Sequence, residues 1–198
     1  MEMGLGDLEI KPWGDRTDLL ADPVAKMLAR LVGADNVGVT QIDPEVSDTT
    51  AFCERYGTRP DQAANCIVLE AKRGERTWFV ACVVLAHTQA DVNGLVRRTL
   101  DARHVSFAPM EQAVSITGME YGAITPVGLP QDWVILVDKR VVDTPHIILG
   151  SGLRTSKLAL PGSFLASLPN VQIVEGLAKE RTSSGELGHD ASSANSRE

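Results

Sequence analysis

The sequence lacks a surplus of positive charge. Its 198 residues carry a formal net charge of −7. A general nucleic-acid binder needs basic surface to displace counterions from phosphates. Any RNA partner must therefore be met locally, at one end or with another protein's help, and DNA is not expected. No apolar run approaches the ~20 residues of a membrane span. The opening MEMGLGDLEIKPWGD has no basic region leading into an apolar stretch, so no signal peptide is expected and a cytoplasmic location follows. Three cysteines, Cys53, Cys66 and Cys82, are too few and too scattered for a disulfide framework or a zinc site, and read as small buried hydrophobes. The four histidines, His87, His104, His146 and His189, have no metal-binding spacing, so neither metal nor cofactor is expected. Also missing are G-x-G-x-x-G, a G-K-[ST] phosphate loop and a G-x-S-x-G elbow.

What is present suffices for one sizeable core: 43% of residues are hydrophobic and 23% charged. Lys179 to Glu198, rich in Ser, Gly and charge, reads as a disordered tail. A helix is predicted over Asp22–Val32, with Asp22 as N-cap and Gly33 ending it. A strand follows over 37–42, then a helix from Ser47 or Asp48 to Tyr56, closed by Gly57. Cys66–Ala71 and Trp78–Leu85 read as a β-hairpin turning at Lys72–Glu75. A helix is predicted to start near Thr88, its inner face marked by Val92, Val96 and Leu100. Val105 and Phe107 are strand-like, Pro109–Ile116 a short helix, Trp133–Val137 and His146–Leu149 strands, Phe164–Leu168 a helical turn and Val171–Val174 a last strand. Strands and helices mix without a regular βαβ rhythm, so a mixed α/β domain fits better than a doubly wound one.

The densest chemistry lies in Thr117–Pro130. Gly118, Gly122, Gly128, Pro126 and Pro130 fall within fourteen residues between a helix and a strand. Glycine lets backbone approach a ligand closely and proline stiffens the loop. Such a loop can offer backbone N–H and C=O groups to a small ligand, or can simply turn the chain. Gly150-Ser151-Gly152 follows a strand and has the same two readings. Asp138 leaves a buried strand, where it could orient a substrate amine or a water, or cap the next turn.

In order and spacing these segments resemble the YbaK/prolyl-tRNA-editing family of aminoacyl-tRNA deacylases, over roughly Ile42 to Glu175. The resemblance rests on Ala113-Val-Ser-Ile-Thr-Gly118, on Gly122-Ala-Ile-Thr-Pro126 as the family's G-x-x-x-P loop, on Val137-Asp138 and on the Gly150-Ser-Gly152 turn. It implies a mixed α/β fold with a central barrel-like β-sheet flanked by helices. The expected organisation is an N-terminal extension (1–41) with one helix, an editing domain (42–178) and the tail (179–198). The implied activity is hydrolysis of the ester between a wrong amino acid and the 3′ end of a tRNA, without a metal or cofactor. The implied partner is the acceptor end of an aminoacylated tRNA. Some members work beside a synthetase, which leaves a synthetase open as a second partner. Thr117, Gly118, Gly122, Pro126, Gly150, Ser151 and Gly152 would line the substrate site, with Asn65 and Asp138 catalytic. One departure stands out: Asn65 occupies the position where active members carry a lysine. Asparagine hydrogen-bonds but brings no charge. The chain is therefore read either as a deacylase working without that lysine or as an inactive module binding an aminoacyl, amino-acid or nucleotide ligand.

Overall fold

The computed structural model describes residues 3–181. The first ordered strand is β1 (Lys11–Pro12), followed by helix α1 (Asp22–Leu28) and β2 (Gly38–Gln41). Pro23 sits in the first turn of α1, where its missing N–H costs nothing. The helix stops at Leu28, short of the predicted Val32, and Gly33 (φ 84°) caps a separate 3-10 turn. Helix α2 (Thr49–Tyr56) starts where the Asp48 carboxylate accepts from the N–H groups of Thr50 and Ala51 and ends on Gly57 at φ 66°.

The long hairpin is β3 (Ala64–Arg73) and β4 (Arg76–Leu85). Next comes β5 (Thr88–Ala90), where a helix was expected. The helix begins only after Asp91, whose carboxylate accepts from Leu95 N–H; it is a π-turn over Val92–Val96 running into α3 (Arg97–Thr99). Then follow β6 (His104–Phe107), α4 (Met110–Thr117), β7 (Val134–Asp138), α5 (Lys139–Asp143), β8 (Ile147–Gly150), β9 (Ser156–Leu160), a 3-10 stretch over Gly162–Ser167, β10 (Val171–Val174) and β11 (Ala178–Glu180). Lys179 and Glu180, expected in the tail, lie in β11; residues 182–198 of that expected tail lie outside the described residues.

The strands form three sheets, ordered β1-β2-β9-β8, β10-β7-β4-β3-β6 and β11-β5. The second is mixed: β7 runs parallel to both β4 and β10, whereas β3 is antiparallel to β4 and β6. The expected mixed α/β architecture is present, but the sheets do not close into a barrel. The first two sheets touch at one parallel bridge, Ala63 to Ile148, backed by Ile148 N–H donating to the Gln62 carbonyl at 2.8 Å. Gly38–Gln41, expected to lie in an N-terminal extension, form β2 and complete a sheet by pairing with β9.

Strand alternation divides the core. Ala64, Ala81, Val83, Ile147, Leu149, Leu158 and Leu160 join α1 in the large cluster on one face. On the other face are two smaller clusters. Leu69, Val80, Cys82 and Leu136 pack with Ala90, Val96 and Leu177, whereas Ala63, Ile148 and Ala159 pack with Phe52 and Cys53 of α2. Along β3 the alternation runs from Ala63 in one small cluster to Ile67 against the other, with Asn65 between them.

Candidate functional site

The seam between the two small clusters is where polar groups collect. Asn65 is half-buried there, and its Oδ1 accepts a 2.6 Å hydrogen bond from Thr49 Oγ1 in the first turn of α2. Asn65 on β3 and Gly150 on β8 each lie two residues beyond the Ala63–Ile148 bridge. Gly150 pairs with Lys157 across the β8–β9 ladder. These three positions share a face, since Ala63, Ile148 and Ala159, each two residues away, pack in one cluster.

The G-x-x-x-P loop crosses this line. A Cβ on Gly150 would lie 2.3 Å from the Ala123 carbonyl oxygen and 3.0 Å from that of Ile124. The absence of a side chain at Gly150 is thus what admits the loop backbone. Gly152 N–H donates to the Ala123 carbonyl at 2.9 Å and Glu120 N–H donates to the Gly152 carbonyl at 2.9 Å, so the two glycine segments brace each other. Arg154 clips the same loop: its N–H donates to Glu120 Oε2 and its Nη2 to the Pro44 carbonyl. Within the loop, Thr125 is buried and its hydroxyl has no hydrogen-bond partner among the described residues.

Lys157, which the sequence reading passed over, is the unexpected member. It is 6% exposed, and its Nζ donates to the Ser47 carbonyl at 3.0 Å and lies 5.5 Å from the centre of the Phe52 ring. Burial holds its ammonium below the ordinary lysine range, with Asp48 and Cys53 pulling it back up and Arg154 adding to the depression. The signal lay in Ser156-Lys-Leu-Ala-Leu160, a five-residue strand buried throughout. A lysine in such a run is out of pattern, because lysine is almost never buried without a partner.

The remaining predicted site residues make cap, turn and packing contacts. Asp138 is buried at the end of β7, two strands from Asn65 on the same face. Both its oxygens bind Arg140, at 3.0 and 3.1 Å, and it also accepts from Arg140 N–H and Ala178 N–H. Burial pushes this carboxyl up, but the Arg140 guanidinium and the two backbone donors outweigh it and leave the group below the usual carboxylate range. Of the two readings, orienting a substrate or capping a turn, Asp138 caps α5. Thr117 Oγ1 donates back to the Ala113 carbonyl at 2.7 Å and Gly118 ends α4 at φ 65°. Ser151 Oγ is bound up with Ser156 Oγ and the Ser156 carbonyl. Gly152, at φ 85°, packs against Ala21 and Met119 on the opposite face. The structure thus seats the Ala123–Ile124 backbone of the Gly122–Pro126 loop on Gly150, with Asn65 two residues beyond the bridge that joins the sheets, while Thr117, Asp138 and Ser151 are engaged in cap and turn hydrogen bonds.

Two hollows of about 300 Å³ each lie elsewhere, one lined by Arg73, Arg76, Trp78 and Leu100, the other by Asp7, Lys11, Arg16, Thr40 and Tyr56. Neither includes Asn65 or the glycine loop. Among the described residues no cluster of three His, Cys, Asp or Glu could hold a metal, and no helix is long and apolar enough to cross a membrane.

A family model described as "Aminoacyl-tRNA editing domain" matches residues 43–167. That span holds α2, the β3–β4 hairpin, the glycine loop and β9. Among curated proteins none matches the sequence. Among solved structures, a protein described as a candidate trans-editing enzyme for prolyl tRNA synthetase superposes with TM-score 0.68 at 18% identity, covering 81% of this chain and 97% of its own. The hypothetical protein APE2540 superposes with TM-score 0.62 at 16% identity, covering 71% and 90%. At these identities the likeness is one of fold.

Proposed function

This chain belongs to the aminoacyl-tRNA editing domain family, and from that premise we propose that it hydrolyses, in trans, the ester of a mischarged tRNA. The observation that carries the reading is the convergence of Asn65, Gly150 and the Ala123–Ile124 backbone at one seam of the fold. A seam of polar side chain and backbone fixed by folding holds an ester in place for attack by water without reorganisation. The biological need is for a second sieve. A synthetase pocket discriminates one methylene by only ~1–3 kcal/mol, so a separate hydrolytic site completes the selection.

Charge distribution supports an RNA partner met locally. Lys72, Arg73 and Arg76 at the hairpin end gather with Arg97, Arg98 and Arg103 of the following segment. The links are Arg103 N–H to the Lys72 carbonyl, Ala102 N–H to the Arg97 carbonyl and Arg73 Nη1 to the Asp101 carbonyl. Arg73 and Arg76 sit directly opposite each other in the ladder, with Arg73 ion-paired to the Asp101 carboxylate. Arg76 lies 4.8 Å over the Trp78 ring. Along β3 this end is about 26 Å from Asn65, at ~3.3 Å per residue. A tRNA could lay its backbone on the basic end while its charged terminus reaches the seam.

The test is a deacylation assay on tRNAs carrying wrong amino acids, beginning with proline tRNA charged with alanine, cysteine or serine. Turnover above spontaneous hydrolysis supports the reading. Binding of the aminoacyl end without turnover across the panel refutes it in favour of a binding module.

A further inference from the structure

Two charged side chains are buried among the described residues, Asp138 and Lys157. They are treated oppositely. Asp138 is matched by a guanidinium and two backbone donors. Lys157 has one backbone carbonyl and a ring face, and no carboxylate within 4 Å among the described residues. An ammonium has three donors, so two of its three have no acceptor there. Burying a charge so poorly matched is costly, and nothing in the packing requires it: Lys157 sits on the face that Ala159 and Ile148 fill with apolar groups. Such sites are characteristic of function.

We propose that Lys157, delivered from β9, is the cation of the acyl site and holds the ester carbonyl oxygen of the bound substrate. This rests on the deacylase reading. The resemblance puts a lysine at the position of Asn65; here the charge reaches the same seam from two strands away, across Gly150. Asn65 and Lys157 grip the entry to α2 from either side, Lys157 through the Ser47 carbonyl and Asn65 through the Thr49 hydroxyl. The Ala123–Ile124 backbone over Gly150 forms the remaining wall. In the reaction a water oxygen bonds to the acyl carbon and negative charge grows on the carbonyl oxygen, where the ammonium donates to it. The bond from the acyl carbon to the ribose oxygen then breaks, and the water's proton ends on that oxygen. Lys157 stays protonated throughout, so the products are a free amino acid and a 3′-hydroxyl.

The test compares wild type, Lys157→Met and the double variant Asn65→Lys/Lys157→Met on Ala-tRNA for proline. Their folds are checked by thermal melting. Lys157→Met should lose ~100-fold or more in kcat, the loss seen when one oxyanion donor is removed, and should raise KM, because the lysine also holds the carbonyl of the bound substrate. Returning the cation to β3 in the double variant should recover at least about tenfold of that loss, which a purely structural lysine would not allow. Should Lys157→Met not fold, Lys157→Gln carries the same comparison, since its amide keeps a donor for the Ser47 carbonyl. A folded single variant within a few-fold of wild type overturns the assignment, as does a double variant no faster than the single. If the wild type turns over nothing, the deacylase reading fails on its own. Binding of 3′-(L-alanylamino)-3′-deoxyadenosine, a stable amide, then decides Lys157. At least tenfold weaker binding to Lys157→Met upholds the lysine as the group holding the carbonyl. Equal binding, or none to the wild type, overturns it.

Discussion

Gly150→Ala is the sharpest probe of how the loop is seated. The added methyl would meet the Ala123 carbonyl oxygen at 2.3 Å, the Ala123 carbonyl carbon at 2.8 Å and the Ile124 oxygen at 3.0 Å. Ordinary contact begins near 3.5 Å, so the loop must retreat by about 1 Å. All three neighbours are backbone, and the Gly152 N–H to Ala123 bond ties that backbone down, so no side chain can swing away to relieve the clash. Overpacking of this kind costs roughly 1–3 kcal/mol. Gly150 does not have a positive φ, so the cost is a contact cost and not backbone strain. A shift of about 1 Å at groups that position a reacting ester is worth ~100-fold in rate. Urea denaturation should therefore show a lower midpoint with unchanged slope. Single-turnover deacylation by the folded variant should fall by about two orders of magnitude. Gly14→Ala, with open space around the added carbon and no positive φ, should leave the rate untouched. A Gly150→Ala protein with wild-type stability and rate would refute the account of the loop as a wall of the site.

The other expectations differ in kind. Gly122→Val adds a side chain at φ 83° where the first carbon meets only Arg154 Nη1 at 3.8 Å; it should cost ~1–2 kcal/mol through backbone strain, read as a lower melting temperature. Asp138→Asn breaks the buried pair with Arg140 and should cost about 2 kcal/mol, at the low end because the guanidinium is partly exposed. Because the Asp138 carboxyl is held low in the folded state, its contribution is present above the ordinary carboxylate pKa of about 3.9 and is lost as pH falls through the folded value; acid titrations of wild type and variant should converge there. Lys157 has the opposite sign. Burial lowers its folded pKa, so the unfolded chain binds the extra proton below about 10.4 and stability rises with pH across that window. Guanidinium midpoints at pH 7 and pH 10 should show the rise in wild type and not in Lys157→Met. Finally, Asn65→Lys alone sets a second ammonium on the Lys157 line and should weaken binding of the amide analogue, although the same substitution helps when Lys157 is absent.

Locally coded features were legible in the sequence. Asp48 and Gly57 bracket α2 because a carboxylate satisfies free N–H groups at one end and glycine takes a left-handed turn at the other. The hairpin over residues 64–85 was legible from its apolar run and turn. Non-local features were not. Thr88–Ala90 read as the start of a helix, yet its partner is Ala178–Glu180, about ninety residues away in sequence, and no local pattern announces such a pairing. The same holds for β9, where Lys157 interrupts an apolar run that would otherwise read as a strand. For the site, residue types in the glycine loop pointed to backbone chemistry, and the structure supplied what spacing could not, the Gly150 position that the loop presses upon. Asp138 shows the limit from the other side. A carboxylate leaving a buried strand has two plausible uses, and only the positions of Arg140 and Ala178 choose between them.

The substitution of asparagine for lysine at position 65 takes on a different meaning once register is considered. A catalytic charge is defined by where its atoms lie, and a sheet offers several strands from which a long side chain can reach one point. Position 65 on β3 and position 157 on β9 lie on one face, on either side of Gly150 and the loop backbone seated on it. Such an arrangement lets the polar anchor and the charge exchange strands without rebuilding the seam. A lysine at both positions would set like charges side by side in a poorly solvated place, and a lysine at neither would leave the developing oxyanion without a cation. The observed pair, Asn65 hydrogen-bonded to Thr49 and Lys157 buried with donors to spare, keeps a single cation at the seam. Read by aligned position, the chain has lost its charge; read by the face on which side chains meet, it has kept one.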